Sequence, residues 1–304
     1  MRRERGAALL LALGVVASVG LTVSDVLMQD RRASGAAGHV AARAQVREIA
    51  MAGTAWAQAL LDDDAAMSRF DALTEAWAAR LPPTPAEGGR VSGFIADQQG
   101  RFDLNSVVAG GRADERAVAR LRRLLAVLGL DPGLADAVVD WVDADDVPYG
   151  SRGAESAQYG AQVPAGAAAN HPFVSAGELA QVRGFTPAVL ARLMPFVTAL
   201  PARAPVNVNT AAPEVLAALV EGLTLDAARA LDARRHTAPF LQPDAFLAAL
   251  PPDLGWRAES DIGIASRYFS IEVTAERDAV AITLRSLVER EPGLPARVLY
   301  RSVL

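Results

Sequence analysis

The chain has 304 residues, half of them hydrophobic, a formal net charge of -5, no cysteine, and arginine as its only strongly basic residue. The length suits two ordinary domains. Without cysteine, thiol catalysis and cysteine-bound metal are excluded, and a body folding outside the cytoplasm does so without disulfides. The acidic balance argues against phosphate-rich partners, which need a positive surface.

The chain opens "MRRERGAALLLALGVVASVGLTVSD", an uncharged run from Gly6 to Ser24 behind Arg2, Arg3 and Arg5. The run is longer than a secretory core of about 7–15 residues, and no convincing small-x-small cleavage site follows it. As a helix at about 1.5 Å per residue, Gly6 to Met28 reaches about 34 Å, enough to cross a bilayer. The arginines ahead of it place the amino terminus in the cytoplasm. The expectation is a retained anchor.

Next, "HVAARAQVREIAMAGTAWAQALLDDD" sets Ala42, Val46, Ile49, Gly53, Trp56 and Leu60 at alternating spacings of four and three, one apolar stripe on a helix. A further helical piece ends at "PPTPAEGG", read as a loop. In "RVSGFIADQQGRFDLNSV", two apolar runs flank Asp97–Gly100, which reads as a hairpin turn. From Ala113 to about Ala249 the pattern is helical, in pieces punctuated by proline and glycine, and Ser175 with Glu178 forms a capping box. "SRYFSIEVTAE" and "AVAITLRSLVER" are strands around a turn at Arg277-Asp278, and "ARVLYRSVL" is a last strand. The fold expected is α+β: a long helix packed on an antiparallel sheet, with an all-α domain of roughly 150 residues inserted between early and late strands.

"DWVDADD" gathers Asp140, Asp143, Asp145 and Asp146 at a helix end, with Glu155 after the next loop. Clustered carboxylates repel unless they are solvated or bridged by a cation, and oxygen ligands suit calcium. The spacing is not an EF-hand: counting from Asp143, Pro148 stands at position six and Ala154 at position twelve. A solvated acidic loop is the competing reading. "PVNVNTAAPEVLAALVEGLTLDAARALDARR" resembles a helix-hairpin-helix unit, echoed by "LAQVRGFTPAVLARL", with a basic flank at Arg229, Arg234 and Arg235. Each turn carries only one glycine, short of the usual phosphate-binding turn. Asn207 and Asn209 are better placed to satisfy backbone groups at a helix start. His39, His171 and His236 lie in unrelated segments without zinc spacing, and no nucleophile or phosphate-loop motif is present. An enzyme is not expected.

Taken in order, the leader "MRRERG" before "AALLLALGVVA", then "DQQGRFDLN", "VVDWVDADD", "VSAGELAQVRGFTPAVLARLMPFVTALP" and "VNVNTAAPEVLAAL" resemble the K-type minor pseudopilins of bacterial type II secretion. The resemblance spans nearly the whole chain. It implies a leader at 1–6, a membrane-spanning helix at 7–28, the first part of a pilin-like body at 29–104, a helical insert at 105–262, and closing strands at 263–304. It implies cleavage by a prepilin peptidase between Gly6 and Ala7, methylation of the new terminus, and a single-pass inner-membrane protein with its body in the periplasm. Pilin-type helices usually carry glutamate at the fifth mature position; here Leu11 stands there, as in the K-type family. A tip subunit has no neighbour ahead whose terminal amine needs a counter-charge. The family's association with calcium favours a metal at Asp143, Asp145, Asp146 and Glu155. The partners implied are the I- and J-type minor pseudopilins, the major pseudopilin, the peptidase and the inner-membrane platform, with no nucleic acid. Contact with other minor pseudopilins is expected through Val46, Ile49, Gly53 and Trp56. A membrane-anchored DNA-binding protein is the alternative.

Overall fold

A computed structural model describes residues 40–86, 88–160, 166–254 and 261–304. Gly6, Ala7 and the 7–28 segment lie outside these. Among the described residues no helix is long and apolar enough to cross a membrane.

The first element is helix α1, residues 40–67. Its buried line runs Val46, Ala50, Thr54, Ala57 and Leu61, at spacings of four and three that keep one face inward. The face lies on a five-stranded antiparallel sheet in the order β1-β2-β9-β10-β11. These strands are β1 (Leu81–Ala86), β2 (Gly89–Asp97), β9 (Tyr268–Arg277), β10 (Val280–Glu289) and β11 (Arg297–Val303). Alternation along β9 turns Phe269, Ile271, Val273 and Ala275 toward α1, forming one core with Val46, Ile49 and Leu61. Trp77 closes its end, edge-on to Phe269 at 5.3 Å between ring centres. The β9–β10 connection is a two-residue turn in which Asp278 has φ +52, a conformation that aspartate tolerates better than most residues.

Two loop assignments change. "PPTPA" is most of edge strand β1, not a loop; proline, lacking a donor, is tolerated at an edge, and the pairing with β2 is bulged between Leu81 and Thr84. Asp97–Gly100 does not make a hairpin. Asp97 Oδ1 accepts from the Gln99 amide at 2.7 Å, and the chain leaves the sheet instead of folding back along β2.

Between Asp97 and Tyr268 the chain builds a second hydrophobic core. Its main helices are α2 (Glu115–Val127), α3 (Leu134–Val142), α5 (Pro187–Leu193), α6 (Pro213–Leu219) and α7 (Leu225–Arg235), with short α4 (Ser156–Gly160) and α8 (Pro243–Leu247). Asp114, Thr186 and Thr224 cap α2, α5 and α7 through their side chains, and the Ser175–Glu178 capping box is present. The insert is not purely helical. Phe102–Asp103 (β3) pairs with Val197–Thr198 (β6), Val108–Ala109 (β4) with Arg112–Ala113 (β5), and Val206–Asn207 (β7) with Ile262–Gly263 (β8).

A buried polar joint ties the insert to the sheet. Asn207 Nδ2 donates to the Asp71 carbonyl, Asp97 Oδ2 and Ser266 Oγ at 2.9–3.0 Å, and Thr210 Oγ1 donates to Asp97 Oδ2 at 2.6 Å. Gln99 accepts from the Arg267 amide at 2.6 Å and donates to the Pro205 carbonyl at 3.0 Å. The "VNVNT" asparagines therefore satisfy buried groups where the two cores meet, and Asn209 does the same for Phe240, accepting from its amide and donating to its carbonyl.

The joint also fixes direction. β9 runs antiparallel to α1: Arg277 hydrogen-bonds Gln45 near the helix start, whereas Asp71, just past its end, meets Asn207 and Ser266. The insert thus sits beyond the carboxyl-terminal end of α1.

Candidate metal centre and partner-facing surface

Helix α3 is apolar except for Asp136 and Asp140, and with Asp143 at its cap the three acids stand at i, i+4 and i+7, on one face. The loop 144–154 folds back over that face. Asp136 is neutralised: it accepts from Arg122 at 2.8 Å and from the Ser151 and Arg152 amides at 3.1 Å. Asp140 uses one oxygen, Oδ1, to accept from the Tyr149 amide at 2.8 Å. The loop passes so close that a Cβ on Gly153 would lie 2.3 Å from Asp140 Oδ2, a position only glycine can occupy.

Asp140, Asp143 and Glu155 converge, with one carboxylate oxygen of each within 4.8 Å of the others. All three are buried, at 0 %, 6 % and 2 % exposure. Asp140 Oδ2, Asp143 Oδ1 and both Glu155 oxygens are sealed from solvent without a hydrogen-bond partner among the described residues. Burial, then mutual repulsion, raises Asp143 to about 6 and Glu155 to about 7; burial, opposed by amide bonds, raises Asp140 to about 6. Orphaned buried carboxylate oxygens this close are unfavourable as they stand. Three hard oxygen donors around one point fit a divalent cation such as calcium.

The site differs from the four acids expected. Asp143 and Glu155 belong to it. Asp145 and Asp146 are exposed, Asp145 Oδ1 capping the Val147 amide at 2.8 Å and Asp146 Oδ1 facing Asn170 at 3.5 Å. Asp140, outside the expected set, converges with Asp143 and Glu155 from α3. The signal was its spacing from Asp143, which puts both on one turn. A second acidic group, Asp64, Asp71 and Glu75, is occupied by protein donors: Arg290 reaches Asp71 at 2.6 Å and Asp64 at 3.1 Å, and Glu75 accepts from the Ala72 amide and the Trp77 ring.

The stripe expected to meet partners is mostly turned inward. Val46 and Ile49 are buried in the body's own core, and a Cβ on Gly53 would approach Val273 Cγ1 to 2.9 Å. Small residues at 50, 53 and 57 let the helix lie close to the sheet, which rotates Trp56 out to 56 % exposure. Trp56 then lines a groove with Leu60, Trp77, Leu81 and Val91. Of the four, Trp56 alone is exposed; Gly53 is half-buried at the edge of the same groove. Gly53→Asp should therefore destabilise the body by about 3 kcal/mol or more, since it buries a charge without a partner. Trp56→Ala should cost less than about 1 kcal/mol, so that any loss of partner binding is read in a folded protein. Melting curves and co-purification separate the two.

The basic flank of the hairpin-like unit is committed within the protein. Arg229 pairs with Asp226 at 3.0 Å, Arg235 is buried against Asp232 and the Val208 carbonyl, and Arg234 stacks over Phe240. Gly222 in the α6–α7 turn sits with φ +83, where a Cβ would meet Leu254 at 2.9 Å. The turn serves packing, and nothing here supports DNA binding.

Two family models, both described as type II secretion system (T2SS), protein K, match residues 100–202 and 206–264. The type II secretion system protein K of Pseudomonas aeruginosa is 35% identical over 283 residues, covering 89% of this chain and 84% of that one. The protein of the same name from Aeromonas hydrophila is 30% identical over 313 residues, covering 95% and 94%. In fold, the chain is similar to one in the crystal structure of the GspK-GspI-GspJ complex from the enterotoxigenic Escherichia coli type 2 secretion system. The TM-score is 0.75 at 23% identity, over 85% of this chain and 95% of that one.

Proposed function

This chain belongs to the type II secretion system protein K family, a minor pseudopilin of type II secretion, and we infer from the placement of its insert that it ends the pseudopilus at the tip. The observation that carries this reading is the joint at Asp71, Asp97 and Asn207, which fixes a second core beyond the end of α1 farthest from the amino-terminal segment. With the amino terminus anchored in the inner membrane as a single span, that core faces outward through the periplasm. Its bulk leaves no room for another subunit to stack ahead, while the α1 side stays open to subunits behind.

The partners on that side are I- and J-type minor pseudopilins, of the kind that accompany the similar chain of known structure, and the major pseudopilin. Trp56 and its groove are the apolar anchor for that contact. The role is structural rather than catalytic. A calcium ion held by Asp140, Asp143 and Glu155 secures the 144–154 loop over α3 by supplying the positive charge that these acids lack. Prepilin peptidase processing delivers the subunit with Ala7 as its amino terminus. Mass spectrometry of the protein recovered from membranes should find Ala7, methylated, and Gly6 replaced by a bulkier residue should leave the leader attached. A mature terminus beyond Ser24 would contradict the anchored reading.

A further inference from the structure

Arg101 follows the turn that carries the chain out of β2, where the outer side of the sheet meets the insert. It borders a cleft of about 400 Å³ between Phe94, Glu272, Arg285 and Tyr300 on the sheet and Met194 and Pro195 on the insert. Two other polar side chains of the cleft, Arg285 and Gln98, are engaged. Arg285 holds Glu272 Oε2 through Nε at 3.0 Å and Nη2 at 2.7 Å, and Gln98 joins Ser270 Oγ to Thr198 Oγ1. Arg101 is different: its amide closes a turn onto the Gln98 carbonyl at 3.3 Å, but its guanidinium has no hydrogen bond, ion pair or ring contact among the described residues. The nearby acid is Asp97, whose oxygens are already taken by Gln99, Thr210, Ser266 and Asn207.

A guanidinium does not relieve burial by deprotonating, because its intrinsic pKa is too high. Burial disfavours the charge, and Arg285 adds repulsion. The cation therefore stays, half-buried beside a cavity, with attraction from Asp97 but no hydrogen-bonded anion among the described residues. We propose that this cleft is a carboxylate-binding site in which Arg101 grips the anion with two parallel N–H donors. A carboxylate suits the fork geometry of arginine. It also brings one negative charge to the guanidinium, whereas a phosphate dianion brings two and meets more repulsion from Glu272 and Asp97. Met194, Pro195 and Phe94 offer an apolar wall for the carbon chain behind the carboxylate. The same chemistry is presented by an acidic side chain of a docking polypeptide or by a free small acid. Either occupant bridges sheet and insert and so stabilises the joint.

The test uses the full chain in detergent micelles at constant ionic strength, titrating sodium acetate or a capped Gly-Glu-Gly peptide against sodium chloride while the melting temperature is read. The wild type should show a saturable rise. Arg101→Met should bind at least about tenfold more weakly, and should itself melt no lower in chloride, because an unpaired buried cation has been removed. Saturation by the peptide at far lower concentration than acetate assigns the site to a polypeptide, and equal saturation assigns it to a free acid. Absence of a saturable rise with both probes in the wild type overturns the site, as does an unchanged midpoint in Arg101→Met. If the methionine variant does not fold, Arg101→Lys serves: it keeps the charge but loses the fork, and an unchanged midpoint there is equally contrary.

Discussion

Arg290→Met should destabilise the protein by about 3–5 kcal/mol at pH 7, a large share of the roughly 5–15 kcal/mol typical of folded proteins. Arg290 is only 8 % exposed, holds Asp71 with Nη2 at 2.6 Å to both oxygens and Asp64 with Nη1 at 3.1 Å, and donates to the Ser266 carbonyl at 3.1 Å. Its guanidinium also lies over the Phe269 ring at 4.6 Å. Methionine preserves much of the packing but strands two carboxylates at the joint. Burial already raises both, Asp64 to about 6, even with Arg290 opposing it. Without Arg290 they rise further and are neutral over a wider range. Acids whose folded pKa lies above the unfolded value favour folding at low pH, and that benefit is lost as pH rises through the folded pKa. The defect should therefore be smaller at pH 5 than at pH 7.5. Arg290→Met with Asp71→Leu should recover part of the loss. Denaturant titrations at the two pH values check both points.

Calcium should raise the melting temperature, with an effect of about 2.7 kcal/mol at a hundred times its dissociation constant, and magnesium should do less. Asp143→Asn with Glu155→Gln should abolish uptake, and so should Asp140→Asn with Asp143→Asn. Asp145→Asn with Asp146→Asn should leave it nearly intact, because those two are exposed and turned to other partners. The pH dependence follows from the raised values of about 6 for Asp140 and Asp143 and about 7 for Glu155. The metal-free protein should lose stability between pH 5 and 7.5 as these groups are forced to ionise next to one another. Calcium affinity should fall as pH drops through 7 toward 6, since the ion needs the deprotonated acids. Asp64, Asp97 and Asp103 rise to about 6 as well and add a slope of the same sign that calcium does not remove. The triple variant Asp140→Asn, Asp143→Asn, Glu155→Gln isolates the part owed to the centre. Titration calorimetry showing no calcium uptake at millimolar concentration would refute the centre.

Much of the architecture was legible in residue patterns. The period of two in "YFSIEVTAER" and "AITLRSLVE" marked β9 and β10, and the period near 3.6 across 46–61 marked α1. What periodicity does not carry is which flank of a stripe faces inward when its members differ in size. Ala50, Thr54 and Ala57 won the inner line over Trp56 because helix-to-sheet distance is set by the smallest side chains between them. Proline in β1 misled because its usual meaning is interruption, and only tertiary position reveals an edge. The buried acid cluster was half visible. The run of aspartates pointed to its loop, but burial rather than charge density decides which acids converge. Asp140 sits under the loop, while Asp145 and Asp146 face solvent. The pairing of Asp97 with Asn207 and Thr210, more than 100 residues away, leaves no local trace at all.

A photo-crosslinking amino acid placed singly at Trp56, Val174 or Leu241, all exposed, reports which surfaces touch other subunits in a cell making the whole secretion system. Residue 56 lies on α1, and 174 and 241 lie on the insert. The tip placement predicts crosslinks to minor pseudopilins from position 56 and none to the major pseudopilin from 174 or 241. Equal crosslinking to the major pseudopilin from the insert positions, with none from 56, would place this subunit inside the filament and contradict it.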